Sequence, residues 1–585
     1  MIEQIQNFNK SFNAKSTSKQ NLTESFIPNG HFDRLTSPNH TIMIGPRGSG
    51  KTTLLRMCEL EALDIWSGTK SDKYRSRIDF TGVFIPTDRF WKAQYDLFRE
   101  KFKEDALLKK LLLSSFTYHI LECFSNTLIY RTLMIKDKKS YFRHINLSKH
   151  DEVEMVEQLS CLWCVETKIP SLRGLAIALA LKKHEISSFL SSSDGTKQSN
   201  KVPKFADSNI ISLLDASIQI VNIYFADSDG KWAFLFDELE LAPDSFVQPL
   251  IDNMRGGPQN LILKLALSPY HKDVSITHNS YSSMHKQDLS FINLSGVRED
   301  GLEFAKTLTN NIFKKQNLTN PINSYFETID IDRDKEFSEL CERDQSFYNY
   351  CQKQGILGKS YADLTQNQQA AFRRIQFNVH LRNYYKRPRK RASHYYTGFE
   401  NICKLLDYNP RMLVGVMSIF SSIAKVEGII KVHRQLKCID DYYQSFKALL
   451  NTIAVDSNEK NFKSLYDVIT KIASFFEQQI HGQVFSPDPR GTITFDHEFN
   501  ANYMEAIGLA LNAGALVIEK NDTDSFHDTN ALTSSRCRLS YIFSPKFKLL
   551  TNVQPPIDLD EILHKREIRV FDLFAGQGSF NYEAN

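Results

Sequence analysis

The 585-residue chain predicts an α/β fold: a parallel sheet with helices on both faces, then a mostly helical second half. Three observations carry this. Short, continuously apolar runs at 41–44, 80–86, 232–236, 261–267 and 289–294 alternate with longer stretches of helical spacing, as strands covered on both faces do. The first run leads straight into a glycine-rich octapeptide, GPRGSGKT at 45–52, and then into an apolar-periodic segment. The third run ends in two acids, Asp237 and Glu238, at the carboxyl end of a buried strand, where open α/β sheets hold ligands.

Composition sets the outer limits. At 42% hydrophobic and 24% charged the chain is ordinary globular material, and it is too long for a single core. A net charge of +4 says little until its distribution is known. The first ten residues, MIEQIQNFNK, contain no apolar signal segment, and the most apolar window, 175–181, is far short of a membrane span. Nine cysteines without a disulfide-like pattern suit reduced thiols. The expectation is a cytoplasmic protein with no membrane contact.

In chain order, residues 1–35 read as a polar arm. A strand at 41–44 precedes the octapeptide, and the segment 53–65 places Leu54, Leu55, Cys58, Ala62 and Ile65 at helical spacing. A strand follows at 80–86, and 107–133 reads as apolar helix. An amphipathic insertion occupies roughly 134–205 and ends in a Ser-rich stretch. A helix over 210–225 stops at Asp-Ser-Asp-Gly, a turn signal. The strands 232–236, 261–267 and 289–294 complete a core placed at 36–298. A helical lid is expected over 299–455, a further module over 456–563 and a tail over 564–585.

The octapeptide has the spacing G-x-x-x-x-G-K-[ST] between strand and helix, which is what makes it a phosphate loop. Gly45, Gly48 and Gly50 let the backbone approach a ligand closely. The backbone N–H groups of the loop, which includes Pro46, Arg47 and Ser49 and runs on to Thr53, then face a polyphosphate. Lys51 would reach the β- and γ-phosphates and the Thr52 hydroxyl would ligate Mg²⁺. Asp237 would hold the same Mg²⁺, through water or through Thr52, and Glu238 would orient and deprotonate the attacking water. ATP with Mg²⁺ is the ligand this pattern implies.

These features together resemble an AAA+ ATPase, and most closely its origin-recognition and replication-initiator branch. In that family the strand after the acidic pair ends in a sensor near the γ-phosphate, matched here by Ser268 in LKLALSP. A second sensor arginine at the start of a lid helix is matched by Arg411 in YNPRMLVGVM. One family feature is missing: between Pro269 and Leu289 there are lysines and histidines but no arginine to serve as a finger. Arg255 and Arg298 are the nearest substitutes. The resemblance implies DNA or an effector protein as partner, allows a homo-oligomer, and places large initiator-like ATPases of this kind in bacterial anti-phage and mobile-element loci.

Within the expected lid lies a basic run: Arg373, Arg374, Arg382, Lys386, Arg387, Arg389, Lys390 and Arg391 occur in 19 residues without an acid, beside Tyr384, Tyr385, Tyr395 and Tyr396. Cations that neutralise phosphates and aromatics that stack on bases suit nucleic acid; a solvated charge run or an acidic partner would have the same composition. Helices at 462–479 and 500–513, a strand at 516–519, a polar loop and a strand at 538–543 follow the order of a winged helix, which the initiator branch carries. Cys161-Leu-Trp-Cys164 has no second pair at zinc spacing and reads as packing thiols. The tail motif at 570–580, VFDLFAGQGSF, looks like the first motif of DNA cytosine methyltransferases without the domain that motif needs, so it is expected to be a docking segment.

Overall fold

The apolar runs become five strands: β1 (His40–Ile44), β2 (Thr81–Pro86), β3 (Trp232–Asp237), β4 (Leu261–Leu267) and β5 (Leu289–Asn293). Their order is β2-β3-β4-β1-β5, parallel throughout. The computed structural model describes residues 18–68, 70–87, 97, 105–134, 145–191, 210–242, 244–254, 258–271, 289–294, 300–329, 331–386, 394–455, 462–495, 501–519 and 536–564.

Helices cover both faces. Against one lie α1 (Lys19–Ser25), α2 (Gly30–Leu35), α3 (Lys51–Arg56), α4 (Leu60–Ile65) and α5 (Ser71–Arg77), whose Phe32, Leu55, Trp66 and Tyr74 share a core with Ala233 and Leu235 of β3. Against the other lie α6 (Asp105–Ile129), α7 (Lys149–Leu162), α8 (Leu172–Ser191) and α9 (Ile210–Tyr224), with Phe124 and Trp163 packed around Trp232 and Phe234. Successive β3 side chains thus serve opposite cores, as a pleated strand requires. The indoles remain satisfied: Trp163 Nε1 donates to Ser217 Oγ at 2.8 Å and Trp232 Nε1 to Asn222 Oδ1 at 2.9 Å.

Three local departures from the sequence expectation have physical causes. Of the arm expected at 1–35, the described residues 18–35 belong to the folded core, because Leu22, Phe32 and Leu35 are buried in it. The helix expected over 53–65 divides into α3 and α4. Gly82 of β2 presses on the turn between them, and a Cβ there would sit 2.0 Å from the Cys58 carbonyl oxygen. Lys264, fully buried in the middle of β4, was hidden in an apolar run. Its Nζ donates to Ser37 O (2.9 Å), Asn39 O (3.1 Å) and Thr41 Oγ1 (3.2 Å), and burial lowers its pKa to about 8.

Beyond the sheet the described chain is mostly helical: α10 (Gly301–Lys314), α11 (Arg333–Arg343), α12 (Gln345–Gln354), α13 (Gln366–Lys386), α14 (Phe399–Leu405), α15 (Pro410–Glu427), α16 (Val432–Asn451) and α17 (Leu465–His481). The expected lid at 299–455 does not stay together. Residues up to Tyr325 and Tyr408–Gly428 belong to one compact unit with the sheet, while Phe326–Asp407 and the described residues from Ile429 onward form a second. Asp407 and Tyr408 are both left-handed, with φ of 51° and 53°. Within the second unit, the Asp407 carboxylate accepts from Arg538 Nη1 (2.7 Å), Ser540 Oγ and Tyr541 N (3.2 Å). Within the first, the Tyr408 ring lies so close to Gly301 that a Cβ there would be 2.6 Å from its Cγ.

The second unit has its own sheet: β6 (Thr492–Thr494), β7 (Leu516–Ile518), β8 (Cys537–Leu539) and β9 (Pro556–Asp558), in the order β7-β8-β6-β9. β7 and β8 fall at the strands expected over 516–519 and 538–543 and pair antiparallel, but β8 ends at Leu539 and Tyr541–Phe543 turns into a 3-10 segment. α18 (Ala501–Ala513) precedes β7. Arg538 of β8 is buried between Asp407 and Glu519 (Nε to Oε1, 2.6 Å) with its guanidinium 3.8 Å from the Tyr541 ring.

Candidate active site

The phosphate loop forms where β1 leaves the sheet. Gly45 N donates to Leu267 O of the β4 neighbour (3.1 Å), and Leu294 N donates to Ile44 O on the other side (2.7 Å). The loop is therefore gripped by both flanking strands. Gly48 and Gly50 take φ of 85° and 98°, conformations an L side chain resists. α3 starts at Lys51, whose buried Nζ lies 2.5 Å from Gly45 O and 3.3 Å from Pro46 O. Arg47 is exposed at the loop tip, and Thr52 and Thr53 are half-buried on the first turn of α3. The Ser49 hydroxyl is buried without a hydrogen-bond partner among the described residues.

Asp237 closes β3, one strand from β4 and fully buried. Two donors from Thr87, N at 3.2 Å and Oγ1 at 2.6 Å, hold its backbone oxygen. Its two carboxylate oxygens have no aligned donor among the described residues. Burial pushes this carboxyl up to about 6; the Thr52 hydroxyl and, more weakly, Lys51 favour the ionised form, while Glu238 and Glu240 oppose it. Thr52 is thus near enough to act on Asp237 without being aligned for a hydrogen bond. Glu238 follows in a left-handed conformation at φ 54°, a strained geometry for a non-glycine residue of the kind that accompanies functional sites.

The two sensor positions also converge on the loop. Ser268, buried, follows directly on Leu267, whose carbonyl receives Gly45 N. Asn409 caps α15 by accepting from Arg411 N (3.0 Å) and Met412 N (3.3 Å), with Pro410 at the first helical position, where a missing N–H costs nothing. Arg411 N also approaches Gly48 O at 3.3 Å, and a Cβ on Gly48 would come within 2.9 Å of Arg411 Cβ. The start of α15 therefore lies on the phosphate loop itself.

An orphaned buried carboxylate beside a threonine hydroxyl suits a hard cation that takes oxygen ligands. Among the described residues no three His, Cys, Asp or Glu side chains gather into a metal site. Mg²⁺ fits the donors present, Thr52 and Asp237, provided that phosphate and water complete its shell. Sequence reasoning missed Thr87, which anchors Asp237, and Glu240, whose Oε2 is buried without a partner among the described residues. Thr87 was legible as the polar residue ending the second apolar run; Glu240 carried no distinguishing signal. Arg255 and Arg298 lie outside the described residues.

Among the described residues the basic run does not form one surface. Arg382 is fully buried, with Nε 2.5 Å from Asp344 Oδ2 and Nη1 2.7 Å from Ile480 O. Lys386 binds the same Asp344 oxygen at 2.8 Å. Burial by itself would raise the Asp344 carboxyl, but Arg382, Lys386 and Ser346 outweigh it and hold it well below the usual carboxylate range. Arg382 is therefore removed from the candidate phosphate contacts, because its charge is spent on an acid 38 residues earlier. Arg374 is exposed but paired with Asp488, and Arg373 is exposed. Arg387, Arg389, Lys390 and Arg391 lie outside the described residues.

The nearby aromatics are also engaged. Tyr395 and Tyr396 are buried, with hydroxyls at Thr551 Oγ1 (2.9 Å) and Leu549 O (2.8 Å). Tyr384 is buried, and Tyr385 stacks on His481 at 4.7 Å under Lys548. In α18, none of residues 503–513 is exposed and the helix has no Lys or Arg. Cys161 and Cys164 are free thiols, and the motif at 570–580 lies outside the described residues. No helix among the described residues is long and apolar enough to cross a membrane.

Comparison with known proteins gives one finding of family. A family model described as ORC-CDC6-like matches residues 7–559. No curated protein and no solved structure matches the chain.

Proposed function

Because the chain belongs to the ORC-CDC6-like family, a branch of the AAA+ ATPases, we propose that it binds ATP with Mg²⁺, hydrolyses it, and uses nucleotide state to switch its hold on DNA or on an effector protein. The observation that carries this reading is Asp237: a buried carboxylate with both oxygens unpartnered among the described residues, one residue before Glu238 and within influence of Thr52. A stable fold gains nothing from such a group, so its retention points to a ligand.

Lys51 and the loop N–H groups bind and orient the β- and γ-phosphates, and Thr52 and Asp237 hold Mg²⁺. When bound, Mg²⁺ supplies neutralisation of the charge that develops on the phosphates. Glu238 positions the attacking water and takes its proton. Ser268, next to the loop at the β4 end, would sense the γ-phosphate, and Arg411 adds a fixed positive charge from α15. Nucleotide state would be felt at α15 through the approach of Arg411 to Gly48. A setting in anti-phage defence rests on the resemblance alone, and plaque counts on a host with and without the gene test it.

The DNA arm of the proposal rests on Arg373 and the basic residues 387–391, since Arg382 and Lys386 are engaged with Asp344. An α18 with no Lys or Arg, and with none of residues 503–513 exposed, argues against major-groove reading by the winged-helix-like module. A second reading, a nucleotide-bound scaffold that hydrolyses little, is favoured by the absence of arginine between Pro269 and Leu289 in the sequence. Steady-state hydrolysis of MgATP with and without duplex and single-stranded DNA, at two salt concentrations, separates the two. DNA-stimulated turnover that weakens with salt supports the switch on DNA. Tight ATP binding with a flat, near-zero rate supports the scaffold, and no ATP binding, or Lys51→Ala binding as tightly as wild type, rejects both.

A further inference from the structure

Asp237 is held from behind as well as waiting in front. Its backbone oxygen takes two donors from Thr87, and Thr87 directly follows Pro86, the residue of β2 in register with Asp237. β2 is an edge strand of the sheet, so its end has no second neighbour to fix it. The anchor comes instead from α6: His119 Nε2 lies 2.9 Å from Pro86 O. On its other side, His119 Nδ1 lies 3.2 Å from Lys183 Nζ, which also contacts Glu122 Oε2 at 2.5 Å. A lysine ammonium can only donate. Nδ1 must therefore accept, which leaves the proton on Nε2, pointed at Pro86 O. Lys183 belongs to α8, within the helical insertion, and α8 packs along α6.

We propose that His119 is a positioning residue for the magnesium carboxylate, and that Lys183 makes its action depend on the insertion. The path runs from Lys183 to the His119 tautomer, to Pro86–Thr87, to the Asp237 backbone, and every contact in it lies within one compact unit. Movement of α8 along α6 would withdraw Lys183, free the ring to turn, and loosen Asp237 without touching the phosphate loop. The insertion thereby becomes a control input to the metal half of the site, distinct from the phosphate half that Lys51 serves. This inference rests on the nucleotide reading given above.

The test is the gain in affinity for a fluorescent ATP analogue on moving from EDTA to millimolar Mg²⁺, with hydrolysis measured alongside. His119→Phe keeps the ring and removes the donor; His119→Gln keeps a donor of similar reach; Lys183→Met cuts the link at a partly exposed side chain. The expected result is a loss of about tenfold in the Mg²⁺-dependent gain for His119→Phe, with affinity in EDTA changed less than twofold. His119→Gln should recover most of it, and Lys183→Met should lose roughly threefold. An unchanged gain in His119→Phe, or His119→Gln no better than Phe, overturns the proposal. If His119→Phe does not fold, Lys183→Met decides, and a wild-type gain there overturns it. Wild-type protein without any Mg²⁺-dependent gain removes the nucleotide reading itself, a result distinguishable from every variant outcome.

Discussion

Two charged regions stand out in the sequence, and the structure treats them in opposite ways. At the end of β3, Asp237 is buried with neither carboxylate oxygen matched to an aligned donor among the described residues. Between α11 and α12, Asp344 is also buried, yet it receives Arg382 and Lys386 from the end of α13 together with Ser346. The first carboxyl is pushed up to about 6 by burial; the second is held far down because its partners overcome burial. A deprived acid and a saturated one differ in purpose. The saturated group holds two helices together, whereas the deprived group costs stability until something outside the chain arrives.

The largest expected effect tests the chemical side of that contrast. Glu238→Gln should lower MgATP turnover about a thousandfold while leaving nucleotide affinity within twofold; unchanged turnover in a coupled phosphate assay would remove Glu238 as the base. On the saturated side, Arg382→Met should cost about 3–5 kcal/mol in urea unfolding, because Asp344 loses its buried partner. Near-wild-type stability there would break the comparison.

A smaller effect, of opposite sign, is expected at Asp237. Asp237→Asn should raise stability in metal-free buffer at pH 8, by up to about 3 kcal/mol for a shift of about two units. The sign follows from the raised pKa: the folded form holds the proton more tightly than the unfolded chain, so this contribution is present at low pH and is lost as pH rises through about 6. The wild type should therefore lose stability between pH 5 and pH 8 relative to the variant, and parallel curves would contradict the assignment. Least of all, Arg373→Ala should reduce the salt-dependence slope of DNA binding by about 1, and Arg382 substitutions that remain folded should leave that slope alone.

Much of the α/β half was legible because a parallel strand buried on both faces writes itself as a continuous apolar run. The phosphate loop was legible because its glycines, lysine and threonine are contiguous. What failed was anything settled by distant pairing. Arg382 looked solvated because Asp344 lies 38 residues away, and Lys264 was overlooked because its acceptors are backbone oxygens in another segment. The lid was drawn as one block since its helices are consecutive, whereas packing assigns α10 and α15 to the sheet unit and the helices between them elsewhere. His119 and Lys183, 64 residues apart, carried no pattern at all.

The corner at Asp407 and Tyr408 has a consequence for how this chain tolerates mutation. Two successive left-handed residues would ordinarily favour glycine or asparagine. Here the carboxylate of the first is claimed by Arg538, Ser540 and the Tyr541 N–H, and the ring of the second by the bare backbone at Gly301. Backbone ease and side-chain duty therefore select different residues at the same two codons. A saturation library should show an inverted spectrum: glycine, best for the backbone, is rejected at both positions; asparagine survives at 407, and only a flat aromatic survives at 408. Sequence drift through this corner is confined to a very narrow path, and it leads directly to Asn409, Pro410 and Arg411.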